Sequence, residues 1–177
     1  MKRWIAFTLM VAMLLTGCTL GKDRFQESVT FYYPRAYETA DQLEAFFTEG
    51  VIGEETREAV GHRQDLNYLL SMYLTGPLHE DLSLPYPVTT KLSQLQWDGS
   101  ALTVILTVNS DRPSGLDWTL GSACLAKTAM ALTALETVSV QILDWNGVTL
   151  YTGSFDGANV LLEDGFTAPT DSTDATQ

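Results

Sequence analysis

Basic residues are scarce in this chain, with ten Lys and Arg against 22 Asp and Glu for a net charge of −12. Such a balance repels polyanions, so a direct role on nucleic acid or on an anionic lipid surface is excluded. Cysteine is scarcer still: Cys18 and Cys124 are the only two. A disulfide framework cannot be built from them, and a domain of this size must be held by its apolar core. There is no glycine-rich phosphate loop, no Gly-x-Ser-x-Gly elbow and no CxxC pair. Phosphate-loop, serine-hydrolase and dithiol chemistry therefore have no signature here. The first apolar run, residues 4–15, holds twelve residues. As a helix it would reach about 18 Å, against a hydrocarbon core of about 30 Å, and is too short to span.

The two ends of that run give it its meaning. Met1-Lys2-Arg3 opens it and Leu15-Thr16-Gly17-Cys18 closes it. A positive start, a short apolar centre and small residues at the end form the pattern of a cleaved export signal. With cysteine in the last place it resembles a bacterial lipoprotein signal. The resemblance implies cleavage between Gly17 and Cys18 and a diacylglycerol group on the Cys18 thiol, with Cys18 as the new N-terminus. Two acyl chains hold a protein stably at a membrane where one does not. The expected location is the outer face of the cytoplasmic membrane, lipid-anchored in the Gram-positive manner. Removing residues 1–17 leaves 160 of the 177, and losing Lys2 and Arg3 leaves eight basic residues against 22 acidic, a balance of −14. Length suggests one domain with a tether and a tail.

Residues 18–27 read as the tether. Ser28-Val29-Thr30-Phe31-Tyr32-Tyr33, rich in β-branched and aromatic residues and stopped by Pro34, predicts the first strand. Residues 35–42 read as a loop. Residues 45–48 and 51–58 flank Glu49-Gly50, which suggests a hairpin whose second strand, with Gly53 and its glutamates, is an edge. Leu66, Leu69, Leu70, Tyr73 and Leu74 share one helical face within residues 62–75, and Gly76-Pro77 stops that helix. Residues 91–97 and 101–109 flank Asp98-Gly99-Ser100 as a hairpin, and the second of them is apolar on both faces, as a central strand is.

Ser114 with Asp117 reads as a capping box for a second helix, in which Trp118, Leu125 and Leu132 recur every seven residues. Gly121, Ser122, Ala123 and Ala126 favour close approach to a sheet, and Lys127 within the apolar stretch makes a membrane span costly. Residues 138–143 and 148–155 flank Asn146-Gly147 as a second hairpin. Residues 157–177, acidic and without periodicity, predict a disordered tail. The expected fold class is α+β, a mostly antiparallel sheet with two helices packed on one face, over residues 28–156.

Four segments in order carry a family likeness: Thr30-Phe31-Tyr32-Tyr33-Pro34, Leu69-Leu70-Ser71-Met72-Tyr73-Leu74-Thr75-Gly76-Pro77, Leu84-Pro85-Tyr86-Pro87-Val88-Thr89-Thr90-Lys91-Leu92 and Asp98-Gly99-Ser100-Ala101-Leu102-Thr103-Val104. Behind a lipoprotein signal, they make residues 29–155 resemble the GerMN domain, the sporulation and germination module of lipoproteins in spore-forming Gram-positive bacteria. The resemblance implies an extracytoplasmic α+β module without assigned chemistry that works in assembly at the envelope. The longer members of that family carry two modules, and this chain carries one.

Candidate chemistry is thin. Glu54, Glu58 and His62 are spaced by four and would share a face of one helix, but Gly53 and the strand-like run argue for a solvated edge instead. His79 sits beside Glu80 and Asp81 in a polar loop. Cys124, between Ala123 and Leu125, reads as a buried, inert thiol. No catalytic residue, metal or cofactor is assigned. The expected function is a tethered module that assembles with another envelope protein through an exposed strand edge at Val51, Ile52, Glu54, Glu55 and Arg57. The alternative is a lipoprotein that binds a small ligand or cell-wall fragment, which needs a concave pocket with convergent polar groups.

Overall fold

The structure, a computed structural model, describes residues 28–109 and 115–157. The lipidation site at Cys18, the tether, Ser114 of the expected cap and the tail beyond Gly157 lie outside the described residues. Among those described, the order is β1 (Ser28–Pro34), α1 (Ala40–Thr48), β2 (Ile52–Glu58), α2 (Leu66–Tyr73), β3 (Lys91–Asp98), β4 (Ala101–Val108), α3 (Gly115–Thr133), β5 (Thr137–Asp144) and β6 (Thr149–Asp156). Strands and helices in this mixture make the fold α+β.

The first correction falls on residues 40–48, expected as loop and strand. They form helix α1, because Thr39 and Gln42 make a capping box: the Thr39 hydroxyl accepts from the Gln42 amide and the Gln42 side chain accepts from the Thr39 amide, each at 3.2 Å. Glu49-Gly50 ends that helix instead of turning a hairpin. The Glu49 amide donates to Ala45 O, and Gly50 takes φ 91°, a left-handed value that glycine tolerates. With its local partner gone, β2 pairs antiparallel with β1, from Ser28 opposite Glu58 to Pro34 opposite Ile52.

The sheet expected as one is two. Strands β1 and β2 form a two-stranded sheet, and the other is four-stranded in the order β3-β4-β5-β6. Both predicted hairpins are present in it as antiparallel pairs, and β4 is central. The β4 and β5 strands run parallel, with α3 as the crossover between them. On β4, Leu102, Val104, Leu106 and Val108 are fully buried, and Ile105 on the opposite face is nearly so. That opposite face also carries polar pairs: the Ser139 hydroxyl bonds Ser154 at 3.2 Å, and Gln141 donates to Thr149 at 3.1 Å.

Helices α2 and α3 pack on the apolar face, where Leu69, Leu70, Trp118, Leu125 and Ala129 meet Val138, Val140 and Ile142 in one core with Phe31 and Tyr33 of β1. Gly121 allows a close approach, though not to the sheet: a Cβ there would lie 2.6 Å from Cγ of the Pro85 ring. Helix α2 starts later than periodicity suggests, because the Asp65 carboxylate accepts from the Tyr68 amide at 3.0 Å and makes Asp65 the cap. Among the described residues no helix is long and apolar enough to cross a membrane.

Candidate functional site

The two-stranded sheet has two long edges, and they are not equivalent. The Arg35 amide donates to Val51 O at 2.9 Å, which makes these two a hydrogen-bonded pair just beyond the strands. Bonded and non-bonded pairs alternate in an antiparallel ladder, so Tyr33–Gly53, Phe31–Glu55 and Val29–Arg57 are bonded pairs too. The backbone groups of Ile52, Glu54, Thr56 and Glu58 then point away from β1. The same parity turns the Tyr32 amide and the Pro34 carbonyl outward on the β1 side. There the Tyr32 amide donates to Thr128 Oγ1 of α3 at 2.9 Å, and Pro34 O accepts from the Ser83 amide at 2.8 Å. The β1 edge is thus engaged at Tyr32 and Pro34. No hydrogen bond among the described residues closes the outer edge of β2.

Side chains on β2 alternate as strictly as the backbone. Glu54, Thr56 and Glu58 are exposed, whereas Gly53, Glu55 and Arg57 face inward and are buried. This corrects the expected edge set. Val51 precedes the strand and bonds Arg35, and the Glu55 and Arg57 side chains lie inside, because they share the parity of Gly53, over which Leu82 packs. What remains outward is Ile52 and Glu54, joined by Thr56 and Glu58.

The inward pair builds an internal clasp. The Arg57 guanidinium donates to Glu55 Oε1, to Gly76 O, to Met72 O at 3.3 Å and to the Tyr33 hydroxyl at 3.3 Å. Two of its acceptors are carbonyls at the end of α2, where the helix dipole favours a cation. The Glu55 carboxylate accepts from the Leu78 amide at 2.7 Å and the His79 amide at 3.0 Å through its other oxygen. Burial pushes the Glu55 carboxyl up, but the bonds from Arg57, His79 and Leu78 and the Arg57 charge outweigh it and hold the group below its ordinary value. Around the pair, Tyr33 stacks on Tyr73 with ring centres 4.4 Å apart, and the Arg57 guanidinium lies 5.3 Å from the centre of the Phe31 ring. Both charged groups of the clasp are engaged within the fold, so its work is to fasten β2 to the turn after α2.

The other sequence candidates are dispersed. Glu54 and Glu58 lie on a strand and His62 in the turn beyond it, stacked on Tyr68 at 4.0 Å. Among the described residues no group of three or more His, Cys, Asp or Glu could hold a metal ion. Cys124 is fully buried, and burial pushes its thiol far above its ordinary value, only partly offset by Lys127. Such a thiol has no reactive thiolate. A depression of about 490 Å³ between α2, the end of α3 and Trp97 is lined by Leu66, Leu69 and Leu132, with exposed Arg63 and Gln64 at its rim.

Fold and site together define an α+β domain in which the two-stranded sheet has one edge engaged by the fold and one left open, beside the edges β3 and β6 of the four-stranded sheet. No protein-family model matches the chain, and no curated protein does. Among solved structures, it is similar to the tandem GerMN domains of the sporulation protein GerM from Bacillus subtilis, at 12% identity and TM-score 0.48, over 86% of this chain and 49% of that one. The chain thus spans about half the length of that tandem structure. It is also similar to a protein from Clostridium perfringens provisionally assigned as a lipoprotein, at 16% identity and TM-score 0.41, over 75% of this chain and 88% of that one.

Proposed function

We propose that this chain is an envelope lipoprotein, anchored by diacylglycerol on Cys18, whose domain assembles with another envelope protein by adding a strand to the outer edge of β2. One observation carries the reading: the backbone groups of Ile52, Glu54, Thr56 and Glu58 have no hydrogen-bond partner among the described residues, while the opposite edge of the same sheet is bonded by Thr128 and Ser83 at Tyr32 and Pro34. An exposed edge left unpaired is a template for another chain. The leader ending in Leu15-Thr16-Gly17-Cys18 supports the envelope setting. Sporulation or germination, which the GerMN-like segments imply, is the stage at which the assembly would act. The module turns nothing over and uses no cofactor.

Ile52→Pro is the test. It removes an outward N–H that bonds nothing in the domain, so the melting temperature should hold while crosslinked partners are lost. Unchanged partners with an unchanged melt would eliminate this edge as the interface.

A further inference from the structure

We infer that the strand received by β2 is basic, with Lys or Arg at two positions four residues apart that fall opposite Glu54 and Glu58. The inference rests on the proposed open edge and adds the chemistry of the partner. Glu54 and Glu58 project from one face of the strand, about 13 Å apart at the ordinary strand rise. Neither forms an ion pair among the described residues, where the salt bridges are Arg35–Glu49 and Arg57–Glu55. The inward cation, Arg57, is committed to Glu55 and the end of α2. Lys127 of α3 has its ammonium 4.5 Å from the centre of the ring of Tyr32, the residue paired with Glu54 from the β1 side. Both carboxylates are exposed and without an ion-pair partner among the described residues, and an incoming strand can supply one.

The same two charges disfavour some registers of pairing with a second copy. In an antiparallel pairing of β2 with itself centred on Thr56, Glu54 meets Glu58 of the second copy; centred on Glu54, it meets its own counterpart; centred on Glu55, Glu54 meets Thr56 and Glu58 meets Ile52, with no like charges opposed. Like charges directly opposite one another across strands destabilise the pair, and opposite charges stabilise it. Backbone bonding makes the edge receptive to any extended chain, and Glu54 and Glu58 select among them. The overall charge of −12 steers the same partners toward the domain.

The test uses the full-length lipoprotein in neutral detergent and two labelled octapeptides of alternating valine. Both have threonine at the first and fifth positions; one has lysine at the third and seventh, the other glutamate. Fluorescence anisotropy at low salt should find the lysine peptide binding at least about tenfold tighter than the glutamate peptide. In the double variant Glu54→Lys/Glu58→Lys the order should reverse, and Ile52→Pro should lose the lysine peptide. Equal binding of both peptides, lost together in Ile52→Pro, would overturn the selection by charge and leave the edge standing. Binding of the lysine peptide that survives Ile52→Pro would remove the edge and this inference with it. Failure of the lysine peptide to bind wild type would overturn the inference as well.

Discussion

Glu55 and Arg57, two positions apart on one face of β2, are paired inside the fold, so the strand that leaves its outer edge open is fastened from within. A buried pair of this kind is costly to break from one side, because the remaining charge stays buried without its partner. Arg57→Ala should therefore destabilise the domain by about 3–5 kcal/mol. Urea unfolding measures this, and a loss within the range of a surface substitution would mean that the clasp is not closed in solution.

Acid should loosen the same clasp. The Glu55 carboxyl is held below its ordinary value in the folded protein, so its contribution is fully present above the ordinary glutamate pKa of about 4.3. It is lost as pH falls from there through the folded value. Wild type should lose stability in that window more steeply than Glu55→Gln, which has no proton to gain. Equal slopes would contradict the assignment.

In the core, Leu125→Ala should cost about 2–5 kcal/mol, as truncations of fully buried leucine do. Leu132, at the same helical spacing, is only partly buried beside Trp97, and its truncation should cost less. Thermal melts of the two variants give the order, and the reverse order would place the buried face of α3 elsewhere.

Gly121→Ala tests the contact between α3 and the segment before β3. The added methyl would meet the rigid Pro85 ring, so a helix-favouring substitution should here destabilise by about 1–3 kcal/mol. A gain in melting temperature would show that Pro85 can move aside.

The parts of the fold that sequence reveals are those encoded locally. Asp98-Gly99 and Asn146-Gly147 announce their hairpins, with Gly99 at φ 59° and Gly147 at φ 83°, and the two-faced apolar pattern of residues 102–108 announces a central strand. The capping box at Thr39 and Gln42 was legible too, but Glu49-Gly50 competed with it as a turn signal. The union of β1 with β2 is different in kind, since nothing near either strand names its partner. At the site, the alternation of Gly53, Glu55 and Arg57 gives their common face, and only the tertiary position of Leu82 and of the end of α2 makes that face the inner one. Which edge stays open depends on Thr128, a residue that no strand pattern involves.

Cys18→Ala should abolish incorporation of an alkyne palmitate and release the chain from membranes. Label retained in the variant would contradict lipidation at that thiol.

Site-specific photocrosslinking in the full anchored chain tests the open edge most directly. Benzoylphenylalanine replaces Glu54 or Glu58 in one set of variants, and Thr152 or Ser154, exposed on the polar face of the other sheet, in a second set. The account predicts a discrete partner band from the two β2 positions, none from the β6 positions, and loss of the band when Ile52→Pro is added. Bands of equal strength from both sets, or a β2 band that survives Ile52→Pro, would contradict it.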